Sequence, residues 1–172
     1  MPAKSKPQNK LKDRLKNIRM VILDVDGVLT DGRIILDSRG IEFKSFDVHD
    51  GYGITRAREH GILFAIISGR ESKTTYYRAK RLKITEVYQN ASDKVAAYKE
   101  LKKKYRLHDN QVCYIGDDEF DLPLLEMVGV SAAPANAMPK VKRNVQILTK
   151  HSGGRGAVRE LLDYILNAKS LL

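Results

Sequence analysis

The stretch that decides the fold is residues 20–30, which read MVILDVDGVLT. Four large apolar residues lead directly into Asp24 and Asp26, and Gly27 follows. A short apolar run of this kind is typical of a buried strand, and a glycine after two acids indicates a turn. We therefore expect a buried strand whose C-terminal end presents two carboxylates.

Strand-like and helix-like segments alternate along the rest of the chain. The predicted strands are 19–25, 62–67, 86–88, 112–115, 130–132 and 145–147, and the predicted helices are 51–60, 71–82, 93–105, 119–128, 138–142 and 157–167. Alternation at this spacing is typical of a parallel sheet with helices on both faces. The sequence therefore predicts an α/β fold, a Rossmann-like three-layer α/β/α sandwich with a mainly parallel sheet.

A β-hairpin is predicted as an insertion after the first strand. Segments 33–36 and 41–46 are strand-like, and the residues between them, DSRG at 37–40, have the composition of a turn. Only 43 residues separate Asp24 from Ser68, and the hairpin and one helix fill them. We therefore expect no separate cap domain.

Composition limits the class of protein. The chain has 172 residues, 42% of them hydrophobic, which is enough for one domain with a real core. No apolar run approaches the ~18–20 residues of a membrane span. A single cysteine, Cys113, excludes an internal disulfide framework. We expect a cytoplasmic protein with no membrane partner.

More than half of the net charge of +10 lies in the first 20 residues, which hold seven lysines or arginines and one acid. Such a segment is typically a solvated tail, so we divide the chain into a basic, flexible tail at 1–18 and one folded domain at 19–172. Nucleic acid is an improbable partner, because no aromatic residue lies among these lysines.

Acidic residues follow two of the predicted strands. Asp24 and Asp26 end the first, and Asp117 and Asp118 follow segment 112–115. Ligands of parallel sheets bind at the carboxyl ends of the strands, so these side chains should meet there. Clustered carboxylates repel unless a cation neutralises them, and oxygen ligands without cysteine or histidine favour Mg²⁺. The sequence therefore predicts a magnesium site.

The same edge carries groups suited to phosphate chemistry. Mg²⁺ would hold a phosphate against Asp24, whose carboxylate is then a nucleophile, and Asp26 can protonate the leaving oxygen. Ser68, after the strand at 62–67, and Lys94, at a helix start, would bind the phosphate oxygens. These four residues predict a phosphatase.

The motifs DVDG at 24–27, SGR at 68–70, Lys94 and GDDEFD at 116–121 resemble the four motifs of the haloacid dehalogenase superfamily of phosphatases, over about residues 19–168. The resemblance implies an aspartyl-phosphate intermediate at Asp24 and a magnesium cofactor. It also implies that the metal ligands are Asp24, Asp26 through its backbone carbonyl, and Asp117. Asp118 and Asp121 would support that site.

A narrower resemblance is to the capless branch that dephosphorylates 2-keto sugar acids in lipopolysaccharide sugar synthesis. It rests on TDGR at 30–33, DGYGI at 50–54 and GGRGAVRE at 153–160. It implies 3-deoxy-octulosonate 8-phosphate as substrate, with an N-acylneuraminate (nonulosonate) 9-phosphate as the alternative. The residues expected to contact the substrate are Thr30, His49, Asp50, Arg70 and Arg155.

The resemblance also implies a homotetramer in which hairpins 33–46 of different subunits associate. Arg155, on a glycine-rich loop expected to be a mobile hinge, would reach the substrate's anionic group. An alternative of another class is a catalytically idle tetrameric scaffold. The presence of Asp24, Asp26, Lys94 and Asp117 opposes it, because an idle protein is free to lose them.

Overall fold

The computed structural model describes residues 7–172. The helices are α1 Pro7–Asn17, α2 Val48–Glu59, α3 Lys73–Arg81, α4 Lys94–Tyr105, α5 Leu122–Leu125, α6 Pro139–Arg143 and α7 Ala157–Ala168. The strands are β1 Met20–Leu23, β2 Ile35–Leu36, β3 Glu42–Phe43, β4 Leu63–Ile67, β5 Glu86–Tyr88, β6 Val112–Ile115, β7 Val130–Ala133 and β8 Ile147–Leu148.

Six strands form one sheet in the order β5-β4-β1-β6-β7-β8, and every neighbouring pair is parallel. Strand β1 therefore lies inside the sheet, with Met20 opposite Leu63 on one side and Val112 on the other. Strands β2 and β3 form the antiparallel hairpin. The predicted α/β fold with a hairpin insertion is confirmed.

Two apolar layers cover the sheet. Because side chains alternate along a strand, Val21 and Leu23 of β1 face one layer and Met20 and Ile22 the other. The first layer includes residues of α1, α2, α3 and α7, and the second includes residues of α4, α5 and α6. Burial on both faces explains why the central strands are continuous apolar runs.

The basic segment differs from its prediction. Residues 1–6 lie outside the described part of the chain, but residues 7–17 form α1 rather than a flexible tail. Helix α1 packs beside α7. Leu15 is buried in the core, and Leu11 packs against it. Leu11 and Leu15, four residues apart, therefore give this lysine-rich helix one buried face. Two leucines among so many charged residues are a weak sequence signal for a helix.

Two predicted helices have different boundaries in the structure. The predicted helix 119–128 is a 3₁₀ turn at Glu119–Asp121 followed by the short helix α5, in which Pro123 occupies the first turn. Helix α2 starts earlier than predicted, because the Asp47 side chain accepts the N–H groups of His49 and Asp50 as an N-cap. Within the described range, no helix has the length and apolarity needed to cross a membrane.

Candidate active site

The carboxyl edge of the sheet is where strands β1 and β6 bring the acidic motifs together. Asp24 follows β1 and is 7% exposed. The first residue of α4, Lys94, is equally buried, and its Nζ lies 2.9 Å from Asp24 Oδ1. The Asp93 side chain caps α4 by accepting the N–H groups of Val95 and Ala96. This cap starts the helix at the point that places the ammonium group of Lys94 on Asp24.

Asp121 is the centre of the hydrogen-bond network behind this pair. It is 1% exposed, and its Oδ1 accepts hydrogen bonds from Lys94 Nζ at 2.6 Å and from the Tyr114 hydroxyl at 2.5 Å. Its Oδ2 accepts the backbone N–H groups of Asp117 at 2.9 Å and Asp118 at 3.1 Å. Asp121 therefore fixes both Lys94 and the loop that carries Asp117.

Burial and mutual repulsion make this acidic cluster unfavourable without further positive charge. Burial raises the pKa of Asp24 to about 7, despite the attraction of Lys94. Burial, Asp24 and Asp121 raise the pKa of Asp117 to about 8. Burial acts to lower the pKa of Lys94, but Asp24 and Asp121 together raise it above its ordinary value.

The cluster fits a divalent cation. Asp24, Asp117 and Asp121 each offer one carboxylate oxygen, and these atoms all lie within 4.8 Å of one another. Carboxylate oxygens without sulfur ligands are the donors that Mg²⁺ prefers. Two of the three expected ligands, Asp24 and Asp117, belong to this trio. Both carboxylate oxygens of Asp121 already accept hydrogen bonds from the protein, and its expected role in supporting the metal site stays a prediction.

The turn after β1 is shaped by Gly27 and Thr30. Gly27 has a φ of +85°, and a Cβ on it would lie 2.0 Å from Asp117 Oδ2. Thr30 is 2% exposed, and its hydroxyl accepts the N–H groups of Gly27 and Gly32 at 3.3 and 3.2 Å. The hydroxyl of Thr30 is therefore buried within the turn that it organises, and its expected contact with substrate stays a prediction.

Asp26 meets the hairpin. The side chain of Lys44, one residue beyond β3, is 2% exposed, and its Nζ donates a hydrogen bond to Asp26 Oδ1. Arg70 Nη1 lies 3.7 Å from Asp26 Oδ2, so the guanidinium group of Arg70 reaches the same loop. Sequence reasoning missed Lys44, because a lysine in an exposed-looking strand carries no motif. The one sequence signal is that Lys44 comes two residues after Glu42, because side chains two residues apart in a strand lie on the same face.

A cleft of about 260 Å³ holds most of the predicted catalytic residues. Its lining includes Asp24, Asp26, Ser68, Arg70, Lys94, Asp117, Asp118 and Asp121. Ser68 is 3% exposed, at the end of β4, and its Oγ accepts the N–H of Arg70 at 3.3 Å. Asp118 is exposed, and its carboxylate accepts the N–H of Glu119.

His49 and Arg155 do not line this cleft. They line a separate cleft beside α7, together with Arg159 and Glu160. The glycine loop before α7 also differs from the expected mobile hinge, because a Cβ on Gly153 would lie 1.9 Å from the backbone oxygen of Gly27. Within one chain, His49 and Arg155 thus lie outside the cleft that holds Asp24, and their expected contacts with substrate stay predictions.

Asp50 lies inside the molecule and does not line the cleft that holds Asp24. It is 1% exposed, and its Oδ1 accepts the N–H of Arg159 at 2.7 Å, in the first turn of α7. Burial raises the pKa of Asp50 to about 6, although this hydrogen bond opposes the shift. Asp50 thus joins α2 to α7 inside the molecule, and its expected contact with substrate stays a prediction.

Comparison with known proteins agrees with the fold. The family model described as haloacid dehalogenase-like hydrolase matches residues 79–161. The chain is also 45% identical over 159 residues to a protein of Escherichia coli K12, covering 92% of this chain and 85% of that relative. The chain therefore belongs to the haloacid dehalogenase-like hydrolases.

Within that superfamily, the E. coli relative is 3-deoxy-D-manno-octulosonate 8-phosphate phosphatase. The crystal structure of the Yersinia pestis phosphatase of the same name has a TM-score of 0.94 at 45% identity and covers 95% of this chain and 89% of its own. The Moraxella catarrhalis phosphatase, in complex with a magnesium ion, a phosphate ion and a KDO molecule, has a TM-score of 0.92 at 38% identity, covering 94% and 93%. The predicted resemblance is confirmed.

Proposed function

We propose that the chain is a Mg²⁺-dependent phosphatase that hydrolyses 3-deoxy-D-manno-octulosonate 8-phosphate to the free sugar acid and phosphate. The observation that carries the proposal is the buried cluster of Asp24, Lys94, Asp117 and Asp121 at the carboxyl edge of the sheet. Identity of 45% to phosphatases of that name supports the substrate.

Magnesium bound by Asp24, Asp117 and the Asp26 carbonyl would supply the positive charge that keeps the aspartates ionised. Asp24 Oδ attacks the phosphorus, and the bond from phosphorus to the ester oxygen breaks while that oxygen takes a proton from Asp26. Water then attacks the phosphorus of the aspartyl phosphate and gives its proton to Asp26. The bond to Asp24 breaks, and phosphate leaves.

Lys94 and Ser68 hold the phosphate during both steps. Lys94 already contacts Asp24, so its ammonium lies where charge develops on the non-bridging oxygens. The Ser68 hydroxyl is at the end of β4, in the same cleft. Arg70 also lines the cleft, which supports a contact between its guanidinium group and the sugar acid.

The test is hydrolysis of phosphorylated 2-keto sugar acids by the purified chain with and without Mg²⁺. We expect kcat/KM for the octulosonate 8-phosphate to exceed that for a nonulosonate 9-phosphate, and chelation to abolish both activities. A preference for the nonulosonate ester would transfer the assignment to that alternative. Absence of activity on every ester, from a folded protein with Mg²⁺, would favour the idle scaffold.

We also propose that the chain works as a homotetramer joined through its hairpin. The hairpin exposes five large apolar residues, namely Ile34, Ile35, Leu36, Ile41 and Phe43, each about half exposed. An isolated two-stranded ribbon with so much exposed apolar surface requires a partner. Copies of the same hairpin are the simplest partner. In such a tetramer, Arg155 of one subunit can contact the substrate that is bound in the cleft of a neighbouring subunit.

The location proposed for this activity is the cytoplasm. The single cysteine, Cys113, is buried and free, so the described fold contains no disulfide that would need an oxidising compartment. Fractionation of cells that produce the chain, with enzyme activity as the readout, tests this proposal. Activity recovered outside the cytoplasmic fraction would contradict it.

A further inference from the structure

Four charged side chains form a closed ring between the hairpin and the catalytic loops. Lys44 Nζ bonds Asp26 Oδ1 and lies 2.9 Å from Glu42 Oε1. Arg70 Nη2 donates to Glu42 Oε2 at 2.9 Å, and its Nη1 lies 3.7 Å from Asp26 Oδ2. Two cations and two anions therefore alternate around the ring, and its net charge is zero.

The hairpin's alternation places this ring. Glu42 and Lys44 point to the same side of the strand, toward Asp26, and Phe43 between them is 53% exposed on the other side. The hairpin thus has one polar face on the catalytic loop and one apolar face outside. The Thr74 hydroxyl of α3, 3.5 Å from the Glu42 carbonyl, further ties the hairpin to the domain.

The side chain of Lys44 is far more buried than that of an ordinary surface lysine. Its side chain is 2% exposed, although the backbone around it is in a solvent-facing hairpin. A lysine that is buried this far is normally paired with an acid. Both partners of Lys44 are carboxylates, those of Asp26 and Glu42. Among the described residues, Lys44 is the one hydrogen-bond donor to the side chain of Asp26. The orientation of that carboxylate therefore depends on it.

We propose that Lys44 is a positioning residue that holds Asp26 in the orientation required for proton transfer, and that the hairpin acts on catalysis through this contact. The inference rests on the proposed function, in which Asp26 protonates the leaving oxygen and later accepts a proton from water. A carboxylate bonded at one oxygen and flanked by Arg70 at the other loses the rotational freedom that would misdirect it.

The experiment compares Lys44→Met with wild type, using Mg²⁺ and p-nitrophenyl phosphate in rapid mixing. A p-nitrophenolate leaving group needs no proton, so transfer of the phosphoryl group to Asp24 should keep its rate. Water attack still needs Asp26, so steady-state turnover should fall at least about tenfold, within the usual range for acid–base catalysis. The variant should therefore release one equivalent of p-nitrophenolate per site quickly and then turn over slowly.

The matched control is Lys16→Met, which removes a lysine outside the hairpin and the cleft. Lys16 pairs with Asp13 on an exposed face of α1, so this variant should behave as wild type. For the octulosonate ester, Lys44→Met should lower kcat more than it raises KM, because both steps then need proton transfer. Thermal unfolding of each variant shows whether the domain remains folded.

A double variant gives a second, independent readout. If Lys44 acts through Asp26, then adding Lys44→Met to Asp26→Asn should cause no further loss of kcat. Multiplicative losses, an equal fall of the first turnover and of steady-state turnover, or no effect at all would each overturn the inference. Wild type that hydrolyses neither ester would instead overturn the proposed function, and the inference with it.

Discussion

At the scale of single residues, Gly27 shows how closely the two catalytic loops approach. Its φ of +85° is a conformation that L side chains rarely adopt, and Asp117 occupies the space where a Cβ would be. Asp117 can therefore lie near Asp24 only because residue 27 has no side chain.

Gly27→Ala should displace Asp117 and lower both Mg²⁺ affinity and activity, by about tenfold or more. The effect on activity should exceed that of a general loss of stability, which unfolding curves measure separately. The control is Gly61→Ala, since Gly61 has a φ of +81° but no atom within 4 Å of its Cβ position. Gly61→Ala should cost about 1–2 kcal/mol of stability and leave the Mg²⁺ titration unchanged.

Asp24→Asn should remove activity with the fold intact. The amide keeps the shape of the side chain but is no nucleophile, and losses of about 10⁴-fold or more in kcat are usual when a nucleophile is removed. Steady-state hydrolysis of the sugar phosphate, with mass spectrometry to exclude deamidation to Asp, measures this. A folded variant with substantial turnover would contradict an aspartyl phosphate at Asp24.

At the scale of elements, Glu160 attaches helix α7 to the loop after β8. Its carboxylate accepts hydrogen bonds from the backbone N–H groups of Lys150 and His151, from His151 Nδ1 at 2.8 Å and from the Tyr164 hydroxyl at 2.6 Å. Burial acts to raise its pKa, but these hydrogen bonds lower it to about 2. The ionised form therefore stabilises the folded protein.

The sign of the pH dependence follows from that lowered pKa. The contribution is complete above the ordinary value of 4.5 and is lost as the pH falls toward 2. Glu160→Gln should therefore lower the free energy of unfolding by about 1–3 kcal/mol at pH 7, and by less at pH 4. Urea unfolding at both pH values measures it.

The control for this prediction is Glu119→Gln. Glu119 is half exposed and pairs with an exposed Lys140, so its loss should change the unfolding free energy by less than about 1 kcal/mol. An equal effect of the two substitutions would show that the hydrogen bonds of Glu160 do not hold the helix to the loop.

At the scale of the whole molecule, the exposed apolar face of the hairpin determines the expected assembly. We expect light scattering to give a mass near four times the 19.4 kDa of the chain. Charged residues at Ile34 and Phe43, which are 61% and 53% exposed, should disrupt the tetramer. Activity toward the sugar phosphate should then fall more than activity toward p-nitrophenyl phosphate, which needs less closure.

The control is Leu148→Lys, since Leu148 is 49% exposed on the edge strand β8, away from the hairpin. This variant should keep the mass of wild type. A wild-type monomer with full activity would contradict the proposed assembly but would leave the chemistry of Asp24 untouched.

Arg155→Ala tests whether the cleft beside α7 contributes to binding of substrate in the cleft that holds Asp24. Arg155 lines the cleft beside α7 and not the one that holds Asp24. If a neighbouring subunit brings the two together, then Arg155→Ala should raise KM for the sugar phosphate several-fold in an intact tetramer. No change in KM would show that Arg155 takes no part in binding substrate.

After α1, the sequence by itself determined the order of strands and helices along the chain, and it brought Asp24, Asp26, Lys94 and Asp117 to one sheet edge. Both follow from local pattern, because buried parallel strands are continuous apolar runs and their carboxyl ends meet. Only the tertiary structure added a further cation, Lys44, to these acids. Lys44 reaches Asp26 through an 18-residue separation that no motif marks.

The same limit explains the residues whose surroundings could not be predicted. Asp50 and Thr30 carry groups suited to substrate, but packing directs them to α7 and to their own turn. Leu11 and Leu15 make α1 part of the domain through contact with residues more than a hundred positions away. Contacts at such separations depend on how the layers pack, and a local sequence window holds no record of that packing.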